Sequence, residues 1–239
     1  MTLRYLVDTL LFDLDGTLIE PSIDFARLNG AVLAACEQAG VQIAAWRHLP
    51  ALEILDRATD DLRGRDAGAA EDLAITADRV IMDIELEAAT RTRPYPGVSD
   101  MLRELLDAGY KIGVVTRNCR SAVEIVLGRW PLPLQVVLTR DDVARVKPDP
   151  GHLIAALESL DAVYGRVLVC GDHPMDVAAG KAIGAVTAAV CSPAIGRERL
   201  LEAHPDLILD RITDLARYLD GALVANQPGN GSQDDRRRG

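Results

Sequence analysis

The chain has 239 residues, 49% hydrophobic and 26% charged, and this size and composition suit a globular protein with one domain or one large and one small. Its formal net charge of −10, with no basic patch, argues against nucleic acid and anionic membranes as partners. It leaves room for a small phosphorylated substrate, because a bound divalent cation can reverse the sign of the potential locally.

Aromatic residues are only 4% of the chain, so the interior is expected to be built from Leu, Val, Ile and Ala. Cys36, Cys119, Cys170 and Cys191 are widely spaced and form no Cys-x-x-Cys pair. Buried free thiols in a reducing cytoplasm are the expectation. The first eleven residues carry Arg4 and Asp8 and are too short for a signal peptide. No apolar run approaches the ~20 residues needed to span a bilayer.

In chain order, the apolar run Thr9 to Phe12 reads as a first buried strand. From about Ile19 to Arg93 no strand is evident, and Ala, Leu, Glu and Arg dominate. Helices are expected over Phe25 to Ala39, Ala51 to Leu62 and Asp72 to Thr90, with a polar break from Gly64 to Gly68. Pro94, Pro96 and Gly97 mark a return to strand–helix alternation. Helices are then expected over Val98 to Ala108, where Gly109 is the stop, and over Ser121 to Leu127, Pro150 to Leu160 and Asp176 to Ile183. Strands are expected over Lys111 to Val115, Leu134 to Leu138, Val167 to Cys170, Val186 to Val190 and, more weakly, Leu207 to Leu209. There is no internal repeat, and the tail from Asn226 lacks apolar residues, a disordered composition.

Strands alternating with helices imply an α/β fold with a doubly wound, mostly parallel, Rossmann-like sheet, into which a small all-helical domain is inserted. The expected division is residues 1–18 and 95–225 as the α/β core, 19–94 as the inserted helical domain and 226–239 as the tail.

Ligands of open α/β sheets bind beyond the carboxyl ends of the strands. Asp13 and Asp15 follow the first strand, and Thr116, Arg117 and Asn118 the second. Lys147, before Pro148-Asp149-Pro150, follows the third, and Gly171, Asp172 and Asp176 follow the fourth. Close carboxylates repel one another unless a cation joins them. Mg²⁺ takes oxygen ligands, and a lysine offsets carboxylate and phosphate charge. A hydroxyl and backbone N–H groups can hold phosphoryl oxygens. One aspartate can attack phosphorus, while a second carboxyl serves the leaving alcohol and then the water.

In these pieces the sequence resembles the haloacid dehalogenase-like hydrolase superfamily: Asp13-Leu14-Asp15-Gly16-Thr17, Thr116, Lys147-Pro148-Asp149-Pro150, and Gly171-Asp172 with Asp176, in the family's order. The resemblance covers roughly residues 8–18 and 95–215 and implies a cytoplasmic, Mg²⁺-dependent phosphatase. It implies Asp13 as nucleophile and metal ligand. Asp15 would be the general acid/base and would give Mg²⁺ its backbone carbonyl. Thr116 would bind the phosphoryl group, and Lys147 would steady Asp13 and the phosphoryl oxygens. Asp172 would bind the metal, with Asp176 as ligand or as an anchor behind the ligands. The insert would be the cap of the phosphoglycolate phosphatase-like branch, which closes over the site and selects the substrate.

One departure stands out: many relatives have Asn directly after the motif threonine, whereas here Arg117 intervenes before Asn118. With Thr116 and Lys147 these two form the expected substrate-binding set, Arg117 either meeting a substrate anion or facing solvent. In the inserted region Arg27, Arg47, His48 and Arg57 read as surface charges, Asp60-Asp61 as a solvated face, and His173 as a surface-loop residue.

The reading is a phosphatase acting on a small phosphorylated metabolite, phosphoglycolate-like or a sugar phosphate, through an aspartyl phosphate, as a monomer or homodimer. The alternatives are a phosphomutase on the same scaffold and a non-catalytic regulatory binding module. A dehalogenase of this superfamily needs neither the acid at Asp15 nor the metal.

Overall fold

A computed structural model describes residues 7–192 and 195–219. Six strands form one parallel sheet: β1 Thr9–Phe12, β2 Lys111–Val115, β3 Val136–Leu138, β4 Val167–Gly171, β5 Val186–Val190 and β6 Leu207–Leu209. Their order is β3-β2-β1-β4-β5-β6. The chain therefore winds outward in one direction from β1 to β3 and in the other from β4 to β6. That reversal leaves a crevice between the carboxyl ends of β1 and β4. The expected doubly wound parallel sheet is present.

Nine α-helices accompany the sheet among the described residues: α1 Phe25–Gln38, α2 Ala51–Arg63, α3 Ala67–Ala89, α4 Val98–Asp107, α5 Arg120–Arg129, α6 Gly151–Ser159, α7 Pro174–Ala182, α8 Arg197–Glu202 and α9 Ala216–Leu219. The alternation of side chains along each strand decides which helices cover which face. Leu10, Phe12, Ile112, Val114, Leu168 and Cys170 pack with Val98, Leu102 and Leu105 of α4 and Val123 and Val126 of α5. Their neighbours Leu11, Val115, Val167 and Val169 point the other way, onto Leu153, Ala156 and Leu157 of α6 and Ala179 of α7. Burial on both faces explains why these strands read as continuous apolar runs.

Helices α1 to α3 share an apolar cluster of their own, with Leu28, Val32 and Cys36 from α1, Ile54, Ala58 and Leu62 from α2, and Leu73, Ala77, Ile81 and Ile84 from α3. The long helix α3 belongs to two clusters at once. Its Met82, Leu86 and Ala89, on a neighbouring stripe, pack against the core beneath the sheet. Two short connections join this region to the sheet and lie side by side. The Glu20 N–H donates to the Arg93 carbonyl at 2.8 Å and the Tyr95 N–H to the Leu18 carbonyl at 3.0 Å.

Three expectations are corrected. The third strand is Val136–Leu138 rather than Leu134 to Leu138. Pro131 and Pro133 precede it, and the Gln135 side chain accepts from the Ile112 N–H at 2.7 Å. The polar break is confined to residues 64–66, because Asp66 accepts from the Ala69 N–H at 3.0 Å and starts α3 five residues before Asp72. Helix α8 was not expected at all. The disordered tail assigned to 226–239 lies outside the described residues. Cys36, Cys119 and Cys170 are buried free thiols as expected, while Cys191 is half-buried. No helix of the described residues is long and apolar enough to cross a membrane.

Candidate active site

The site is built where β1 stops. The Asp13 N–H is still held in sheet fashion, donating to the Cys170 carbonyl at 2.8 Å, so its side chain is aimed by the strand rather than by a loop. The chain then turns sharply: the N–H groups of Leu18 and Ile19 both donate to the Leu14 carbonyl, at 2.9 and 3.0 Å. Gly16 adopts φ +81°, and a Cβ there would lie 2.1 Å from Oδ2 of Asp172. A glycine is required on both counts. The same close approach recurs at Gly171, whose imagined Cβ would lie 2.2 Å from the carboxyl of Asp176. Two glycines thus allow two carboxylates to press against the backbone at the ends of β1 and β4.

Lys147 sits at the centre, 2% exposed. Its Nζ donates to Oδ1 of Asp13 at 2.7 Å and to Oδ1 of Asp176 at 2.6 Å. Burial alone would lower its pKa, but the two carboxylates carry it up to about 12, so the ammonium stays charged. Asp176 is held from both sides, because its Oδ2 also accepts from the His173 N–H at 3.1 Å. That contact closes a capping box at the start of α7, with His173 as the N-cap. His173 is therefore no surface-loop residue. It is half-buried, and its Nδ1 accepts from the Met175 N–H at 3.2 Å. With His173 as the cap, Asp172 is left for the site.

Asp13, Asp172 and Asp176 each offer a carboxylate oxygen, and the three atoms lie within 4.8 Å of one another. Burial, ahead of the charges of Asp13 and Asp176, pushes Asp172 up to about 8. Asp13 rises to about 6, burial outweighing the opposing effect of Lys147. One ammonium does not neutralise three closely spaced carboxylates, and a hard divalent cation with oxygen ligands fits the remaining deficit.

The carboxyl of Asp15 lies outside that group. Its Oδ2 accepts from Nδ2 of Asn118 at 3.2 Å, and burial, followed by the charge of Asp13, raises it to about 7. Thr116 is 1% exposed at the end of β2, where its N–H donates to the Leu138 carbonyl at 2.9 Å and its Oγ1 accepts from the Asn118 N–H at 3.1 Å. Asn118 lines the cavity, but its amide is occupied by Asp15 and by the Cys119 N–H at 3.0 Å. Arg117 is half-buried, and its guanidinium donates to Sδ of Met175 at 3.0 Å.

These residues line a cavity of about 330 Å³. Its floor is Asp13, Asp15, Thr116, Asp172 and Asp176, and its wall comes from the helical region, with Ile23, Phe25, Leu28, His48 and Leu52 among others. His48 is exposed, as expected of a surface residue, and also borders the cavity. Arg27, Arg47 and Arg57 do behave as surface charges, paired with Glu87, Glu37 and Glu53.

Sequence reasoning missed Glu85 and Arg140. Glu85, on α3, is 3% exposed, lines the cavity, accepts from the Cys119 N–H at 3.0 Å and pairs with Arg140 beyond β3. Arg140 also reaches Asp78 of α3 at 3.2 Å. The one available signal was position: Glu85 falls on the apolar stripe of α3, one residue after Ile84.

The family model for the haloacid dehalogenase-like hydrolases matches residues 10–190. The chain is 33% identical over 218 residues to pyrophosphatase PpaX of Bacillus cereus strain Q1, a match covering 89% of this chain and 96% of the relative. Against PpaX of Bacillus cereus strain G9842 the identity is 42% over 127 residues, 52% of this chain, a stretch spanning only 59% of that relative. Among solved structures, a hydrolase from Pseudomonas syringae shares the fold at TM-score 0.63 and 22% identity, covering 88% of this chain and 97% of that one. A predicted phosphoglycolate phosphatase from Haemophilus somnus 129PT does so at TM-score 0.63 and 21% identity, covering 89% and 97%. With a match over most of its length, and with the motif residues gathered at one rim, the chain belongs to the haloacid dehalogenase-like hydrolases.

Proposed function

We propose that this hydrolase is a Mg²⁺-dependent phosphatase that transfers a phosphoryl group from a small substrate to Asp13 and then to water. The observation that carries the reading is Lys147, buried and held at 2.7 Å from Asp13 and 2.6 Å from Asp176, behind the two aspartates that line the cavity at the switch point of the sheet. A lysine so placed keeps Asp13 ionised beside other carboxylates and offers its charge to phosphoryl oxygens.

In the first half-reaction an oxygen of Asp13 forms a bond to phosphorus, and the bond to the leaving oxygen breaks. Asp15, raised to about 7, delivers a proton to that leaving oxygen. Thr116 and the backbone N–H groups beside it hold equatorial oxygens. In the second half-reaction Asp15 takes a proton from water as the water oxygen attacks phosphorus, releasing phosphate and restoring Asp13. Asp13, Asp172 and Asp176 would hold Mg²⁺, with Asp15 contributing its backbone carbonyl, and the ion supplies charge compensation for the phosphoryl oxygens.

Helices α1 to α3, with their own apolar cluster, would act as the cap over this chemistry, residues 19–94 opening and closing on the side-by-side connections at Glu20 and Arg93. The name of the relative matched over 89% of the chain supports inorganic pyrophosphate as a substrate, beside phosphoglycolate-like and sugar phosphates.

Asp13→Asn is expected to lower phosphate release by at least about 10⁴-fold, the scale on which loss of a nucleophile acts, with the fold retained. Release at the wild-type rate would refute the assignment. Free phosphate as product separates the phosphatase from a mutase, which would return an isomerised sugar phosphate instead.

A further inference from the structure

Arg117 is the one cation on the cavity floor to which the transfer chemistry above gives no task. The two other deeply placed cations near the site are held by carboxylates, Lys147 by Asp13 and Asp176, and Arg140 by Glu85 and Asp78. Arg117 has no such partner. Asp176, Asp13, Asp56 and Glu53 act on its charge from farther away, but among the described residues none forms an ion pair with its guanidinium; its Nε is buried without any hydrogen-bond partner, and its side-chain hydrogen bond goes to the Met175 thioether. A thioether is a weak acceptor, and an arginine stays protonated. A half-buried, charged fork with no carboxylate paired to it, and with its Nε shut off from water, is costly unless a ligand completes it.

Its place defines what that ligand can be. Arg117 lines both the 330 Å³ cavity and an adjoining one of about 250 Å³, and His48, His173 and Arg199 border both spaces as well. Arg117 directly follows Thr116, and consecutive Cα atoms lie ~3.8 Å apart. Both residues line the larger cavity, so an anion on the guanidinium shares that space with the phosphoryl group held at Thr116. Lys147 cannot serve this second anion, being engaged on both sides by carboxylates.

We propose that Arg117, with His48 and Arg199 beside it, receives a second anionic group carried by the leaving group. The substrate is then a compact phosphorylated molecule bearing a phosphate or carboxylate next to the phosphoryl under attack. The guanidinium fork pairs two-pronged with either group, which a lysine in its place does not do. The inference rests on the phosphoryl-transfer reading and adds to it the class of leaving group.

The test compares wild type, Arg117→Met and Arg117→Lys, with Mg²⁺, on inorganic pyrophosphate, 2-phosphoglycolate and p-nitrophenyl phosphate, whose leaving group carries no second anion of this kind. Arg117→Met is expected to lower kcat/KM for one of the first two at least about 30-fold more than for the third, with Arg117→Lys recovering part of the loss. The larger loss on pyrophosphate assigns a phosphate to Arg117, and the larger loss on phosphoglycolate a carboxylate. Equal losses on all three substrates, or no loss, overturn the proposal.

A binding experiment separates this failure from failure of the phosphatase reading. Calorimetry on the Asp13→Asn protein would compare methylenediphosphonate and phosphonoacetate with methylphosphonate, with and without Arg117→Met. Discrimination there of at least about 10-fold, in a protein whose wild type turns over none of the three substrates, sinks the transfer chemistry and sustains the anion site. Turnover of p-nitrophenyl phosphate, with no discrimination in either experiment, does the reverse.

Discussion

The rim of the sheet and the three-helix region handle charge in opposite ways. At the rim Asp13, Lys147, Asp172 and Asp176 are gathered beyond the ends of β1 and β4, and two glycines are needed to let the carboxylates in. In the helices the ion pairs lie outside: Arg57 with Glu53 has side chains 50% and 41% exposed, and Arg27 with Glu87 54% and 45%. Water screens such pairs, and each contributes little. The rim is thus an electrostatic device that the surrounding fold must hold together, whereas the helical region is an apolar wall whose charges are replaceable. Glu85 with Arg140 is the exception, a buried pair that carries rim-like electrostatics into helix α3.

This contrast can be broken first at Asp15. Replacing it by Asn should lower kcat by about 10²- to 10⁴-fold, more for an alkyl ester than for p-nitrophenyl phosphate, whose leaving group needs no proton. The pH profile carries the sign. Asp13 must be ionised, so activity rises with pH through its raised pKa of about 6. Asp15 must be protonated to act as acid, so activity falls as pH climbs through about 7. A bound cation moves the Asp13 limb to lower pH. The alkaline limb should vanish in Asp15→Asn, and its survival would assign the proton to another group.

The next effect tests Glu85. Arg140→Met leaves a buried carboxylate without its cation and should cost about 3 kcal/mol in urea unfolding, much of it recovered when Glu85→Gln is added. Arg57→Ala, in the exposed pair, should cost less than about 1 kcal/mol. Equal costs in the two pairs would erase the distinction between the regions.

The smallest effect concerns the cation. Asp13 and Asp172 have folded-state values near 6 and 8, above the 3.8 of an ordinary aspartate. The metal-free folded protein therefore holds protons that the unfolded chain releases, and these groups cost stability as pH rises from about 4 to 8. Mg²⁺ competes with those protons, so the rise in Tm it produces should grow from pH 5 to pH 8. It should approach the equivalent of about 2.7 kcal/mol at a hundredfold excess over Kd. A Mg²⁺ effect that does not change with pH would place the ion elsewhere.

Much of the rim was legible because short-range order determines it. A strand fully buried on both faces is a continuous apolar run, and the residue after its end is aimed by the last ladder hydrogen bond. Thr9–Phe12 and Lys111–Val115 have the bounds that their apolar runs imply, and Asp13 and Thr116 follow directly. Boundaries failed where a local competitor intervened: the prolines before β3 and the Asp66 cap before α3. His173 misled because a histidine is an unusual helix cap, and its role depends on Asp176 three residues on.

By itself the sequence determined the order of strands and helices, the glycine turns and the identity of the groups at the strand ends, because each depends on the chemistry of neighbouring residues. Only the tertiary structure decided which charges are satisfied. Lys147 meets Asp13 across 134 positions of sequence and Glu85 meets Arg140 across 55, distances over which spacing carries no signal. Only there does Arg117 differ from any other arginine. Its charge is ordinary, but the folded chain half-buries it in the cavity that holds Thr116 and, among the described residues, pairs no carboxylate with its guanidinium.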